Sequence, residues 1–437
     1  MESNNVNNNV NNNASDNVSD DINKNDKSTV DSNDQTLDEI ESFDDALYTY
    51  HDGKLLAGIY EYGFEHPSPI QSQAIPYILS GRDIIAQAQA GSGKTGAFLI
   101  PALANINVQK KYPQVMIIGN TRSLASQIEY TTKQIGTRLV ADGLGIELCV
   151  GGQGKYSPSD LDRISKTQIL IGTPGKFVSL TEQKNQSRMF NKISLLILDE
   201  ADILLKDEFS IQMQKIIRKL PKKAQICLFS ATYPESVLDL TNNFLRNPMK
   251  ILVKNEDISV DGIKNYWVSF SRENEKYNAL LDLYRSVNVC QAVIFVNSIE
   301  SADRLSSRMI EAGHSVGVIH GSLDDCERVQ IMEQFRKTHI RVLVATDIIS
   351  RGIDVQQVGL VINYDVPYDP DKYIHRVGRS GRFGRTGVAI TFVTSKRRDL
   401  SNMDNIVTKY NIQFNEIAAS EDIEQVENYL TGSKQLA

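Results

Sequence analysis

What most constrains this 437-residue chain is a recurring pattern of short, continuous apolar runs, each followed by a polar and often glycine-rich cluster. The first half carries such runs at 83–86, 115–118, 168–171, 195–198 and 226–229, and the second half at 292–296, 316–319, 342–345, 360–362 and 388–392. Runs that do not alternate with polar residues mark strands buried on both faces, and therefore parallel sheet with helices on either side. Two series of runs predict two tandem α/β domains, 41–246 and 263–437. Residues 247–262, with Pro248, Gly262 and mixed charge, are the expected linker. No short repeat relates the halves, so any kinship between them should be structural only.

Charge separates a third region. Residues 1–40 hold nine acids, two bases and twelve Asn, with no aromatic residue, so they carry the whole formal net charge of −7. Such a stretch offers too little apolar surface to offset the entropy of ordering, and we expect a disordered tail. The remaining residues sum to zero. The acidic balance alone would argue against a nucleic-acid partner, but it lies outside both predicted domains. No apolar run approaches the ~18 residues of a membrane span, and the amino end lacks the basic and apolar regions of a signal peptide. Cys149, Cys227, Cys290 and Cys326 stand at least 36 positions apart. That spacing suits a reducing, cytoplasmic setting and forms no metal-binding pair.

Ligands of open parallel sheets bind beyond the carboxyl ends of the strands, so the clusters after the runs are the places to look. After 83–86 comes Ala88-Gln89-Ala90-Gly91-Ser92-Gly93-Lys94-Thr95, a phosphate loop with Ala in place of the usual first Gly. Gly91 and Gly93 let backbone amides curl around phosphate oxygens, Lys94 supplies a point charge, and the Thr95 hydroxyl can ligate Mg²⁺. After 195–198 comes Asp199-Glu200-Ala201-Asp202. A carboxylate there can hold the Mg²⁺ shell, and a second can orient an attacking water. Taken alone, such acids would be a solvated turn. Beside a phosphate loop they point to ATP hydrolysis. In the second half, Arg376, Arg379 and Arg382 recur every third residue, as on one face of a helix turn. Arginine forks suit the charge on a transferring phosphoryl group, although an exposed basic face is the commoner meaning of such spacing.

The order of these motifs resembles the DEAD-box RNA helicases of superfamily 2, from about Phe43 to the carboxyl-terminal region. Residues 43–71, with Gly63-Phe64, Pro67, Ile70 and Gln71, are similar to the family's Q motif; 88–95 to motif I; 199–202 to motif II; and Ser230-Ala231-Thr232 to motif III. Val293 to Ser298 is similar to motif IV, Ala345-Thr346-Asp347 with Arg351-Gly352-Ile353-Asp354 to motif V, and His375 to Arg382 to motif VI. The branch it most resembles is eukaryotic translation initiation factor 4A, with the helicase of the exon junction complex also similar.

The resemblance implies two RecA-like domains, with ATP and Mg²⁺ as cofactors. It implies that Phe64 stacks on adenine and Gln71 reads its edge. Residues Ala88 to Thr95, Gly352 and Asp354 would surround the nucleotide. Lys94, Asp199, Glu200, Arg379 and Arg382 would act on the phosphates, with Thr95 and Asp199 near the metal. Ser230, Thr232, Asp202, His375 and Arg376 would couple the domains. RNA would be held, without regard to sequence, by Thr121, Arg122, Gly151, Gly152, Thr173, Pro174, Gly175, His320, Gly321 and Thr346. Short hydroxyls, glycine amides and an occasional Arg suit sugar–phosphate contact. The implied protein is a monomer off the membrane, open to protein regulators of the initiation-factor type. Two departures stand out. Asn120 and Ser123 replace the family's Pro and Glu in motif Ia, which predicts weaker RNA binding, and Lys176 follows Thr-Pro-Gly where Arg is usual. An ATP-gated RNA clamp, and a nucleotide switch acting on protein, are the competing readings.

Overall fold

The structure, a computed structural model, describes residues 37–88, 91–151, 156–183, 187–252, 263–286, 291–347, 358–380 and 387–417. The first sheet contains β1 (Ile84–Gln87), β2 (Val115–Ile118), β3 (Ile146–Cys149), β4 (Ile169–Gly172), β5 (Leu195–Asp199), β6 (Gln225–Ser230) and β7 (Met249–Ile251). All pairings are parallel, in the order β3-β4-β2-β5-β6-β1-β7. Side chains alternate across the pleat. Ile84 and Ala86 pack with the helices Pro69–Leu79 and Lys94–Ala104 on one face, while Ile85 joins Phe177 and Leu204 on the other. Because both faces are covered, the strands read as continuous apolar runs.

The second sheet contains β8 (Ile263–Phe270), β9 (Ala292–Phe295), β10 (Val316–Ile319), β11 (Val342–Ala345), β12 (Leu360–Asn363), β13 (Gly387–Thr394) and β14 (Asn415–Glu416). Its order, β10-β11-β9-β12-β13-β8-β14, is again wholly parallel. Each strand has a counterpart seven strands earlier, in the same place. The halves therefore share one topology with no shared motif in the sequence.

Two expected boundaries shift. Residues 249–251, placed in the linker by their charge, form β7 and pair with Ile84–Ala86, closing the first sheet; residues 253–262 lie outside the described residues. The tail was expected to run to residue 40. Instead the Ile40 amide donates to the Ser72 carbonyl at 3.3 Å, the Ser72 hydroxyl donates to the Ile40 carbonyl at 2.6 Å, and Ile40 packs on the core. An apolar side chain and the start of a hydrogen-bonded path hold residues that composition grouped with the tail. Residues 1–36 lie outside the described residues.

Candidate nucleotide and nucleic-acid site

The phosphate loop leaves β1 and enters the 11-residue helix Lys94–Ala104, whose N-cap, Gly93, has φ 98°. Gly91 shares the left-handed region, φ 86°, which glycine alone adopts without strain. A Cβ on Gly96 would stand 2.5 Å from Gln71 Nε2 and 3.1 Å from the Phe64 ring, so the helix approaches both residues as closely as a glycine allows. Gln71 is buried. Its Nε2 donates to the Gly93 carbonyl at 3.1 Å, and its Oε1 accepts from the Ser68 amide at 2.9 Å. The amide therefore positions the loop directly, a contact that the sequence does not announce. Phe64 stands edge-on to Tyr62 with ring centres 5.0 Å apart. Gln89, Ala90, Gly352, Asp354, Arg382 and Gly152 lie outside the described residues.

Lys94 is buried, and its ammonium donates to the Ala88 carbonyl at 2.6 Å. Burial lowers its pKa; Glu200 and Asp199 oppose the shift, and the nearby Arg379 charge adds to it. The second domain's Arg379 thus acts electrostatically on the first domain's phosphate loop. Asp199 ends β5, and burial, with the adjacent Glu200 charge, pushes its carboxyl up to about 7, against the pull of Lys94. Glu200 itself has φ 57° and ψ 49°. A left-handed non-glycine residue costs of order 1–3 kcal/mol and tends to persist where function requires it. Among the described residues its buried Oε2 accepts no hydrogen bond.

Asp202 gathers the coupling residues. Ser230 Oγ donates to its Oδ1 at 2.7 Å, Thr232 Oγ1 to its Oδ2 at 2.8 Å, and His375 Nε2, from the second domain, lies 3.4 Å from Oδ2. His375 Nδ1 lies 3.8 Å from Glu200 Oε2. Burial pushes the Asp202 carboxyl up, but the bonds from His375, Ser230 and Thr232 outweigh it and hold the group well below the usual carboxylate range. A further bridge was not legible: Lys206 Nζ of the first domain lies 3.9 Å from Asp371 Oδ2 of the second. The only available signal was a Lys just past motif II.

Two expectations for the second domain are corrected. Arg376 does not reach the first domain. It is fully buried and donates to Asp347 Oδ1 at 2.6 Å, to the Asp365 carbonyl at 2.8 Å and to Asn297 Oδ1 at 2.8 Å, tying together the carboxyl ends of β11, β12 and β9. Nor do Arg376 and Arg379 share a helix face, because the helix Pro370–Val377 stops at Gly378, leaving Arg379 in the turn beyond. Glycine at that point ends the helix.

The RNA candidates follow one edge. Thr121 caps the helix Arg122–Ile135, accepting from the Leu124 amide at 3.2 Å. A Cβ on Gly151 would lie 3.1 Å from the Arg122 guanidinium, so the two sites meet. Thr173 begins the helix Pro174–Glu182, with Gly175 in its first turn, at the end of β4. Lys176 is buried with its ammonium 3.8 Å over the Tyr156 ring, which leaves it packing rather than reaching outward. Thr346 and Gly321 follow β11 and β10, and the Gly321 carbonyl accepts from Arg328 at 3.2 Å. His320 is the exception. It is buried, Nε2 lies 3.0 Å from Asp303 on the helix Ile299–Glu311 and Nδ1 2.8 Å from the Ser322 hydroxyl, so both ring nitrogens are engaged within the domain instead of on a ligand.

Comparison with known proteins agrees with this geometry. Residues 68–240 match the DEAD/DEAH box helicase family, and residues 275–384 match the helicase conserved C-terminal domain. The chain is 44% identical over 370 residues to the ATP-dependent RNA helicase FAL1 of Saccharomyces cerevisiae, covering 84% of this chain and 90% of that protein. It is 42% identical over 385 residues to the ATP-dependent RNA helicase eIF4A of Kluyveromyces lactis, covering 87% and 95%. Among solved structures, S. cerevisiae Dbp5 bound to RNA and ADP BeF3 superposes with a TM-score of 0.80 at 32% identity, covering 90% of this chain and 100% of that one. Mss116p bound to ssRNA and AMP-PNP gives 0.74 at 26%, covering 90% and 84%.

Proposed function

Since the chain belongs to the DEAD-box family of ATP-dependent RNA helicases, we propose that it grips single-stranded RNA by its backbone and couples ATP hydrolysis to local opening of RNA duplexes. The observation that carries the coupling is Asp202, one buried carboxylate shared by Ser230, Thr232 and His375 of the other domain. A change in how the domains meet moves this carboxylate, and Glu200 stands two residues before it.

In this reading Phe64 and Gln71 flank the adenine end, while the amides after β1 and Lys94 hold the phosphates. The hydroxyl of Thr95 and the carboxylate of Asp199 are hard oxygen donors, the type Mg²⁺ requires. Asp199 sits where burial makes its ionisation costly without a cation, so the residues fit the metal. When bound, Mg²⁺ neutralises phosphate charge. Glu200 Oε2 orients the attacking water and accepts its proton, and Arg379 and Arg382 meet the charge developing on the γ-phosphate. Thr121, Arg122, Gly151, Thr173 to Gly175, Gly321 and Thr346 take the RNA backbone. Their distribution over both domains makes closure on RNA the step that completes the ATPase site. The reading extends to an initiation-type role, which likeness to eIF4A supports, carried out in the cytoplasm by a monomer open to protein regulators.

A second reading, the ATP-gated clamp, draws support from the inward-turned His320 and Lys176, which leave fewer RNA contacts. Steady-state ATPase with and without oligouridine separates the two. The helicase predicts strong RNA stimulation, and Glu200→Gln should lower kcat by roughly 100-fold or more, as loss of a general base does. RNA binding without turnover selects the clamp. Indifference to RNA removes both.

A further inference from the structure

The two sheets are copies of one topology, so each ligand-binding crevice of the first has a counterpart in the second. In the first domain the nucleotide motifs follow β1, β5 and β6, beside β2. The counterparts are β8, β12, β13 and β9. The loops leaving those four strands enclose a crevice of about 570 Å³, within the usual size range for small-ligand sites. The helix Ile299–Glu311 after β9 packs on one face of the sheet and the helix Pro370–Val377 after β12 on the other. Loops that part in this way open the kind of cleft in which open α/β sheets bind ligands.

Its lining is cationic. Lys276, Arg304, Arg308, Lys396 and Arg398 face Glu273, Asp365 and Asp399. The carboxylates are already engaged. Glu273 takes Lys276 at 2.8 Å and Lys396 at 2.6 Å. Asp365 accepts from the Asn297 amide at 2.9 Å and faces Lys276 at 3.6 Å, and Asp399 accepts from the Thr394 hydroxyl at 2.6 Å. Among the described residues no carboxylate lies within 4.0 Å of the Arg304, Arg308 or Arg398 guanidinium. Two of these are held in place by aromatic faces, Arg308 3.5 Å from the Tyr277 ring centre and Arg398 3.9 Å from that of Tyr368. Stacking orients a guanidinium without consuming its charge. The likeness to the first site extends to Lys276. It is a buried lysine in the first turn of the helix after β8, facing a carboxylate beyond β12, as Lys94 faces Asp199 and Glu200 after β1 and β5.

We propose that this crevice is a second anion site, taking the phosphate groups of a nucleotide-sized ligand on Arg304, Arg308 and Arg398. It has no glycine loop after β8 to cradle a triphosphate, so binding rests on side-chain forks, which match phosphate oxygens bidentately. The phosphate can come from a free small molecule or from an RNA strand, since Arg376 joins the crevice residue Asn297 to Asp347, next to Thr346.

The test uses the full-length protein with its first site saturated by ADP. Calorimetry with inorganic tripolyphosphate reads the free-anion source, and fluorescence anisotropy with fluorescent oligouridine at several salt concentrations reads the RNA source. The variant Arg304→Glu/Arg308→Glu/Arg398→Glu is compared with an equal charge change at the far end of β6, Lys219→Glu/Lys222→Glu/Lys223→Glu. A tripolyphosphate isotherm lost only in the arginine variant supports the site with a free ligand. A loss of RNA affinity in that variant alone, with the log–log salt slope reduced by about 2 for three phosphate contacts, supports it with RNA as the source. If both variants match the wild type in both arms, or both weaken equally, the proposal is overturned. All three arginines are exposed, so the fold should survive their replacement. As a check that needs no variant, 4-thiouridine RNA or azido-ATP should crosslink to peptides containing Tyr368 or Arg398 in the wild type, and crosslinks from neither would also count against the site.

Discussion

Two carboxylates three residues apart are driven in opposite directions by their surroundings. Among the described residues Asp199 accepts from the Glu200 amide and from no hydroxyl, with a like charge beside it, and it is pushed up to about 7. Asp202 has two hydroxyl donors and a histidine, and it is held below the usual range even though burial alone would raise it. The signs follow by linkage. For Asp199 the folded pKa lies above the unfolded value near 4, so its contribution is intact below that value and is lost as pH rises through about 7. For Asp202 the folded pKa lies below the unfolded value, so stability is present above about 4 and is lost as pH falls. Asp199→Asn should therefore raise the Tm of the nucleotide-free protein at pH 8 while abolishing hydrolysis, with the gain shrinking toward pH 5. Tm measured across that range checks it. A Tm that falls, or a gain that does not change with pH, contradicts the assignment. A mutation that removes activity and adds stability marks a group kept for function against its own folding cost.

The central strands of both sheets were legible at the scale of elements because burial on two faces leaves an unbroken apolar word in the sequence. The same physics hid the others. In β3, Glu147 interrupts the run because the strand lies at the sheet edge, and its Oε2 takes Arg163 at 2.6 Å. β8 interrupts its apolar residues with Lys264, Asn265 and Ser269 although both faces are packed, Tyr266 and Phe270 on one core and Ile263 and Trp267 on the other. β7 and β14, of three and two residues, are too short to carry a pattern. Motif residues were found wherever chemistry restricts residue type, as with Lys94, Asp199 and Thr121. What they touch was not legible, because Arg376 turns inward toward Asp347 and Asn297, and His320 toward Asp303, all distant in sequence. Close packing between helices was equally invisible. Gly58, in the helix Lys54–Tyr62, lies so near the end of the helix Arg122–Ile135 that a Cβ would stand 2.1 Å from the Ile135 carbonyl oxygen. Backbone cannot yield as a side-chain tip does. Gly58→Ala should thus cost about 1–3 kcal/mol through overpacking, although alanine is the better helix former. Urea unfolding checks this, and a variant at or above wild-type stability would show that the helices can separate freely. Because both helices lead to motif residues, Phe64 on one side and Thr121 on the other, the same substitution should also weaken RNA-stimulated turnover.

Across the whole molecule, charge and architecture are kept apart. The formal charge of −7 belongs to residues 1–40, and the two sheets and their clefts are built from a neutral remainder. A neutral body with a few placed cations suits a protein that must release RNA after each turnover, since a strongly basic surface would hold RNA with steep salt dependence and little regard to nucleotide state. The structure also locates where the amino end begins to matter. Glu39 accepts from Gln73 Nε2 at 3.0 Å, and Ile40 exchanges two hydrogen bonds with Ser72, on the helix that also presents Gln71 to the phosphate loop. Deleting residues 1–36 should leave Tm and RNA-stimulated ATPase at wild-type values. Extending the deletion through residue 40 removes the Ile40 pair, about 2 kcal/mol for two bonds. That is roughly 4–8 °C in Tm for a domain of this size. The KM for ATP should rise as well, because the helix carrying Gln71 loses its anchor. Paired melts and ATP titrations of the two truncations test this directly. Equal behaviour of the two would mean that residues 37–40 add nothing to the nucleotide site, and a loss of turnover on removing 1–36 alone would give the acidic segment a catalytic role that its composition does not suggest.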